Sequence, residues 1–199
     1  MSNSLPIGHE ELGKRKQTGS HYTPKNLSDF VASQIIQKYA SKSLEIKVVD
    51  PAVGDGELLL SMASLLSQKS EIKAQVKGFD IDINAIKFAS SRFKSIPNVA
   101  IDFKHADFLE YVISNTENSL FNKETNDKYD IVIANPPYVR TQVLGANKAQ
   151  YLAKHFGLKG RVDLYHAFIL GIAKILKPGG LVGLIVSNRF MTTRSGSVS

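Results

Sequence analysis

Short runs rich in Val, Ile and Phe recur along most of this chain, separated by stretches whose apolar residues follow helical spacing. Runs of this kind are typical of strands buried inside a parallel sheet. They predict strands at 46–50, 76–80, 99–103, 131–134 and 181–186. The run at 131–134 is the most uniformly apolar of them, so we expect both of its faces to be buried.

The intervening stretches predict helices. The first is expected to have Thr23 as its N-cap and Pro24 at its first helical position. Its predicted apolar face consists of Leu27, Phe30, Val31 and Ile35. Further helices are expected at 58–66, 83–93 and 164–176, with the last ending before Lys177, whereas the polar stretch 115–128 is expected to be a loop. Strands alternating with helices predict an α/β fold, with an open parallel sheet covered by helices on both faces.

Composition limits the classes of protein that this chain can represent. Its 199 residues with 43% hydrophobic content suit one globular domain, expected at 21–194, between a basic flexible arm at 1–20 and a tail at 195–199. No run approaches the ~18 apolar residues of a membrane span, so we expect a cytoplasmic, nucleoid-associated protein. The chain has no cysteine, which excludes disulfides and cysteine nucleophiles. A net charge of +7 makes a polyanionic partner plausible, and the arm adds Lys14, Arg15 and Lys16.

Polar side chains follow four of the predicted strands at the point where each strand ends. They are Asp50, Asp80, Asp107 and Asn135. The carboxyl ends of parallel strands meet at one edge of a sheet, where ligands bind in open α/β folds. Four such residues are hard to explain as packing, so this constellation predicts a binding site. His21 and His105 have no second ligand at metal spacing and are not expected to bind a metal.

The turn after the first strand, Gly54-Asp55-Gly56, allows close approach of a ligand to the backbone. It lacks the third glycine of a dinucleotide site, and its acids disfavour a pyrophosphate. Asp80 suits the hydroxyls of a ribose, while Asp107 and Phe108 suit an adenine. A ligand with an amino-acid end, a ribose and an adenine but no phosphate is S-adenosylmethionine.

The fourth strand ends in Asn135-Pro136-Pro137-Tyr138. The prolines stop the strand and leave carbonyl groups without local partners. Asn135 adds a side-chain acceptor, and Tyr138 adds a ring that can stack on a planar group. This combination suits an amine attached to an aromatic ring.

These segments together resemble the amino-group DNA methyltransferases of the gamma arrangement, which are the N6-adenine enzymes of restriction-modification systems. The matching segments are 19–24, 50–56, 78–80, 106–108, 135–138, 160–168 and 176–180. The resemblance implies a Rossmann-like sheet and base flipping. The catalytic residues that it implies are Asn135, Pro136 and Tyr138. The cofactor-binding residues expected from it are Tyr22, Thr23, Asp50, Ala52, Gly54, Asp80, Ile81, Asp107, Phe108, Asn135 and Pro137.

Double-stranded DNA is the expected partner. The connection 138–162 contains basic residues and no acid, so it is expected to contact phosphates. These basic residues are Arg140, Lys148, Lys154, Lys159 and Arg161. Relatives in the resembled family add further strands and a target-recognition domain, so dependence on a missing segment or a second protein subunit is expected. RNA adenine methylation, protein glutamine methylation and a silent cofactor-binding subunit remain as alternatives.

Overall fold

Five parallel strands form the framework of the part of the chain that the computed structural model describes, namely residues 23–39, 43–93, 96–121, 127–137, 145–158 and 164–186. Their order across the sheet is β3-β2-β1-β4-β5. Their bounds are β1 Glu45–Asp50, β2 Lys73–Asp80, β3 Val99–His105, β4 Tyr129–Ala134 and β5 Leu176–Leu184. Because β1 is central and β4 is its neighbour, the polar residues after these two strands come close to one another.

Helices cover both faces of this sheet. They are α1 Lys25–Lys38, α2 Glu57–Ser67, α3 Ile83–Arg92, α4 Phe108–Phe121, α5 Ala146–Phe156 and α6 Leu164–Ile175. Helices α1, α2 and α3 pack on the face that carries Val48, Val76 and Ile131. Helices α4, α5 and α6 pack on the opposite face, which carries Val49 and Phe79. The predicted α/β class, with helices on both faces, is confirmed.

Strand β4 is buried along its whole length, as its apolar run predicts. It also contains Asp130, whose carboxylate accepts a hydrogen bond from the Lys47 backbone N–H at 2.8 Å. The same carboxylate pairs with the Lys177 Nζ, also at 2.8 Å. Asp130 therefore ties β4 to both of its neighbouring strands.

The first helix differs from its prediction. It begins at Lys25, and its N-cap is Pro24 without a side-chain cap, so the assignment of Thr23 as N-cap is wrong. Leu27 and Phe30 are 37% and 59% exposed, because the side of α1 that faces the sheet does not include them, although it does include the predicted residue Ile35. That side consists of Ser28, Ala32 and Ile35. Two of its members are small, which lets the helix approach its neighbours closely.

Three other predictions also need correction. Helix α4 continues to Phe121, so the predicted loop is wrong for 115–121. Helix α5 was not predicted, because half of its apolar residues are alanines and only Leu152 and Phe156 are buried. Strand β5 begins at Leu176 rather than at 181, with an irregular register between the pairs Tyr129–Leu176 and Ile131–Leu181. Helix α6 does end before Lys177, as expected.

Among the described residues, no helix combines the length and the apolar character needed to cross a membrane. The predicted arm at 1–20 and the tail at 195–199 lie outside the described residues.

Candidate active site

The ends of the first two strands meet in one network of hydrogen bonds. The Gly54 N–H donates to an Asp80 carboxylate oxygen at 2.9 Å. The Val53 N–H donates to the Phe79 carbonyl at 2.8 Å. Asp50 pairs in register with Gly78, two residues before Asp80. The turn after β1 and the end of β2 therefore form one surface, as the sequence predicts.

Two glycines shape this turn. Gly54 and Gly56 have φ values of +54° and +83°, which are in the left-handed region that side chains disfavour. A Cβ on Gly56 would lie 3.0 Å from the Phe93 ring and 3.2 Å from the Ala89 Cβ, so α3 packs against the turn. A Cβ on Gly54 would meet no described atom within 4 Å, so the backbone of this turn faces open space.

Arg92, at the end of α3, holds the same turn through several contacts. Its guanidinium donates to the Asp55 carbonyl at 2.8 Å, lies 3.5 Å from the Asp55 carboxylate and also pairs with Glu57. These contacts offset two of the acids that surround the turn. Arg92 lies 35 positions from Glu57, so no local pattern in the sequence could have indicated the contact.

Asp50 is fully buried at the end of β1. One of its carboxylate oxygens accepts a hydrogen bond from the Ala52 N–H at 2.9 Å. The other oxygen has no hydrogen-bond partner among the described residues. Burial, with smaller repulsion from Asp80 and Asp55, raises the pKa of Asp50 to about 8. A cationic group beside this oxygen would favour the ionised carboxylate.

Asp80 is held at the end of β2 by two backbone donors, because its second oxygen accepts from the Asp82 N–H at 2.9 Å. Burial raises the pKa of Asp80, and the hydrogen bonds from Asp82 and Gly54 oppose that effect. Ile81 follows with 63% of its surface exposed, beside the open edge of the sheet. A carboxylate has about four acceptor positions, so Asp80 can still accept from a ligand hydroxyl.

Asp107 lies just before α4 and caps it, accepting from the Leu109 N–H at 2.9 Å. Its other oxygen pairs with Lys148 of α5, and Lys148 also lies 3.2 Å from Glu110. The connection 138–162 contains no acid of its own, and its basic residues were predicted to have none that offsets them. This prediction is wrong for Lys148, which pairs with two acids from outside the connection. Burial lowers the pKa of Lys148, but its contacts with Asp107 and Glu110 outweigh that effect and raise the pKa overall.

Phe108 is 1% exposed and belongs to the core. Its ring lies between those of Phe79 and Phe168, with centroid distances of 5.9 and 5.5 Å. The structure thus places Phe108 beneath Asp107 as packing for the end of β3.

Asn135 directly follows β4, with Pro136 buried and Pro137 half-buried behind it. The Asn135 Nδ2 donates to the Thr23 Oγ1 at 3.3 Å, which brings together two predicted site residues 112 positions apart. Tyr22 and Tyr138 lie outside the described residues, as do Arg140, Lys159 and Arg161. Within the described residues, no group of three or more His, Asp or Glu side chains is placed to hold a metal ion.

Comparison with solved structures places this fold in a known class. A solved structure from Listeria monocytogenes, described as a class I S-adenosylmethionine-dependent methyltransferase, matches with a TM-score of 0.64 and 22% identity. The match covers 93% of this chain and 54% of that chain. The parallel sheet described above is therefore the Rossmann-like fold of class I methyltransferases, as predicted.

The family follows from sequence comparison. The model of the Eco57I restriction-modification methylase matches residues 34–198, and the chain belongs to this family. Type II methyltransferase M.BanIII of Aneurinibacillus aneurinilyticus is 43% identical over 193 residues, which are 94% of this chain and 33% of that protein. Type II methyltransferase M.BstVI of Geobacillus stearothermophilus is 26% identical over 198 residues, covering 89% and 35%. The chain thus spans about a third of the length of these relatives.

Fold and family imply S-adenosylmethionine as the cofactor. The residues at the sheet edge fit it. The buried Asp50 oxygen without a described partner suits a cationic ligand, and the turn at Gly54 leaves its backbone accessible. The acids around the turn disfavour phosphate, which this cofactor lacks.

Proposed function

We propose that the protein is a DNA methyltransferase of a restriction-modification system that modifies the N6 amino group of adenine. The observation that carries this proposal is the position of Asn135, which directly follows a buried strand paired with β1 and is itself followed by two prolines. Membership of the Eco57I restriction-modification family and the similarity to two type II methyltransferases support DNA as the substrate.

S-adenosylmethionine, when bound, supplies a methyl group that its positive sulfur makes electrophilic. In our proposal, Asp50, Ala52 and Gly54 border its amino-acid end, together with Tyr22. Asp80 and Ile81 hold the ribose, Asp107 holds the adenine with Phe108 packed beneath it, and Pro137 adds a contact near Asn135. The catalytic domain comprises residues 21–194.

Asn135 and Pro136 prepare the target nitrogen for attack. An adenine amine is a poor nucleophile because its lone pair is delocalised into the ring. The Asn135 side-chain oxygen and the Pro136 carbonyl accept hydrogen bonds from the two N–H groups of this amine. These hydrogen bonds favour a pyramidal nitrogen with its lone pair available. Tyr138 stacks on the flipped base. The nitrogen gains a methyl group and loses one proton, with no covalent enzyme intermediate, so catalysis rests on positioning and fixed dipoles.

The proposal implies two kinds of partner. Duplex DNA is the substrate, with Lys154 exposed on α5 as a candidate phosphate contact. A further segment or a second subunit supplies recognition of the target sequence. The competing possibilities are methylation of the N4 of cytosine, of RNA, or of a protein glutamine, and a silent cofactor-binding role.

The first test uses Asn135→Ala in the intact protein, together with any chain that it needs for activity. Transfer of labelled methyl groups to duplex DNA is expected to fall by at least about 10²–10³-fold, because one preorganised acceptor is lost. Cofactor binding, measured by calorimetry on the same preparation, is expected to remain and serves as the internal control for folding. Mass spectrometry of digested product DNA is expected to show N6-methyladenine.

Other outcomes separate the alternatives. An active Asn135→Ala variant would contradict the catalytic role of Asn135. N4-methylcytosine in the product would exclude adenine as the target base. Labelled RNA or labelled protein with unlabelled DNA would show that the substrate is RNA or protein rather than DNA. Cofactor binding without transfer to any of the three would indicate a silent subunit.

A further inference from the structure

The contact between Asn135 and Thr23 orients a side chain with two chemically different ends. An amide presents an oxygen that accepts and an NH2 group that donates. The Asn135 Nδ2 donates to the Thr23 Oγ1 at 3.3 Å, and Thr23 is only 8% exposed. Since the NH2 group faces Thr23, the side-chain oxygen of Asn135 is turned away from it.

Both residues in this contact are followed by proline, Thr23 by Pro24 and Asn135 by Pro136. A following proline restricts the backbone of the preceding residue to extended conformations. The β-branch of threonine also limits its χ1 angle. The hydrogen bond therefore joins two residues that have little freedom, and it costs little entropy to form.

Helix α1 fixes the position of Thr23. The Pro24 carbonyl accepts hydrogen bonds from the Leu27 and Ser28 N–H groups, both at 3.0 Å, so the residue after Thr23 is tied to the first turn. The Ser61 hydroxyl on α2 donates to the Asp29 carboxylate at 2.7 Å. The helix is thus held against its neighbour within two turns of Thr23.

The same helix reaches the sheet next to the strand that carries Asn135. Ile35 packs so closely on Gly183 of β5 that a Cβ at Gly183 would lie 2.5 Å from the Ile35 Cδ1. Strand β5 pairs with β4, where Ile133 faces Gly183. Helix α1 therefore links Thr23, which lies two residues before it, to strand β5, which pairs with the strand that precedes Asn135.

We propose that Thr23 is a positioning residue, which orients the Asn135 amide so that its oxygen faces the target amine. This inference rests on the proposed role of Asn135 in methyl transfer. It differs from a cofactor-binding role for Thr23, because the hydroxyl then acts through Asn135 on the catalytic step rather than on cofactor affinity.

Thr23→Val removes the hydroxyl with almost no change in side-chain shape, and Thr23→Ser keeps the hydroxyl. We expect Thr23→Val to lower kcat by roughly 10- to 100-fold, since misplacement of a catalytic group is costly, while the cofactor Kd stays unchanged. Thr23→Ser is expected to restore most of kcat. Thr116→Val makes the same change on the exposed side of α4 and is expected to keep wild-type kcat.

The double variant Thr23→Val with Asn135→Ala supplies a second measurement. If Thr23 acts through Asn135, adding Thr23→Val to Asn135→Ala lowers kcat no further. Additive losses would overturn the inference. If Thr23→Val does not fold, Thr23→Ser alone still tests it, because a loss of 10-fold or more with the hydroxyl present would also overturn it.

The outcomes keep this inference apart from the proposed function. A raised cofactor Kd with unchanged kcat in Thr23→Val would make Thr23 a cofactor-binding residue and overturn the inference. Wild-type kcat in Thr23→Val beside an inactive Asn135→Ala would overturn the inference and leave the function standing. An active Asn135→Ala would overturn the inference together with the catalytic role of Asn135, whereas the identity of the labelled product would still decide the substrate class.

Discussion

The Asp50 carboxyl lies in a setting that ionised carboxylates avoid, fully buried and close to other acids. In the folded protein it holds a proton up to about pH 8, whereas an unfolded aspartate loses its proton near pH 4. Between these values the folded state binds more protons than the unfolded state. The contribution of Asp50 to stability therefore falls as the pH rises through this window.

Asp50→Asn removes this proton uptake. We expect the variant to be more stable than the wild type at pH 8 by on the order of a few kcal/mol, and to differ much less below about pH 4, where both states are protonated. Urea unfolding at several pH values without cofactor measures this difference. Parallel pH dependences for variant and wild type would show that Asp50 does not carry the effect.

At the residue scale, the sequence predicts side chains that follow strands and misses those whose partners are distant in the chain. Asp50, Asp80 and Asn135 were predicted because strand ends are visible as the limit of an apolar run. The contacts of Arg92 with Glu57 and of Lys148 with Asp107 were not predicted, since these partners lie 35 and 41 positions away. Asn135 was predicted, but its contact with Thr23 depends on the packing of α1.

At the element scale, burial decided which predictions held. Strand β4 is apolar throughout and was predicted nearly to its ends. Helix α4 is longer than predicted, because its second half is polar and looks like a loop when read locally. In α1, the predicted apolar face is right for Ile35 and Val31, which pack on the core, and wrong for Leu27 and Phe30, which are exposed. The side that packs includes Ser28 and Ala32, whose small size matters more than their hydropathy.

The packing of α1 on β5 depends on the absence of a side chain at Gly183. We expect Gly183→Ala to destabilise the protein by about 1–3 kcal/mol, because its Cβ would overlap Ile35 and, at 2.9 Å, Val31. Urea unfolding measures the change. The expected loss also includes kcat, since Thr23 lies two residues before α1.

Ile35→Val offers a matched compensation, because valine lacks the Cδ1 atom that meets the new Cβ. In the double variant, part of the stability lost in Gly183→Ala is expected to return, although Ile35→Val alone costs about 0.5–1.5 kcal/mol. Strictly additive losses would indicate that the strain at Gly183 lies elsewhere.

At the scale of the whole molecule, the net charge of +7 does not reveal which cations can meet a polyanion. Lys148 is paired with Asp107 and Glu110, whereas Lys154 is exposed on the same helix. Helix α5 thus carries, within two turns, one lysine that is paired with acids and one that is exposed to solvent.

If duplex DNA binds along α5, Lys154→Gln is expected to weaken binding and to reduce the slope of log K against log salt concentration by about 1. Lys148→Gln makes the same change at a paired lysine and is expected to alter this slope less. Fluorescence anisotropy with labelled duplex DNA at several salt concentrations measures both. Equal effects would show that the pairing of Lys148 does not persist in the complex.

The distance along the chain between Thr23 and Asn135 has a consequence for biosynthesis. Thr23 and helix α1 are synthesised before the five strands, but Asn135, to which Thr23 is hydrogen-bonded, is made 112 residues after Thr23, and Gly183 of β5, on which α1 packs, later still. At ~5–20 residues per second, this delay is roughly 6–22 s. During that interval the nascent chain already contains β1, β2, β3 and α2, so α1 can pack on α2 but not yet on β4 and β5. The contact between Thr23 and Asn135 therefore forms only after most of the described sheet has been synthesised.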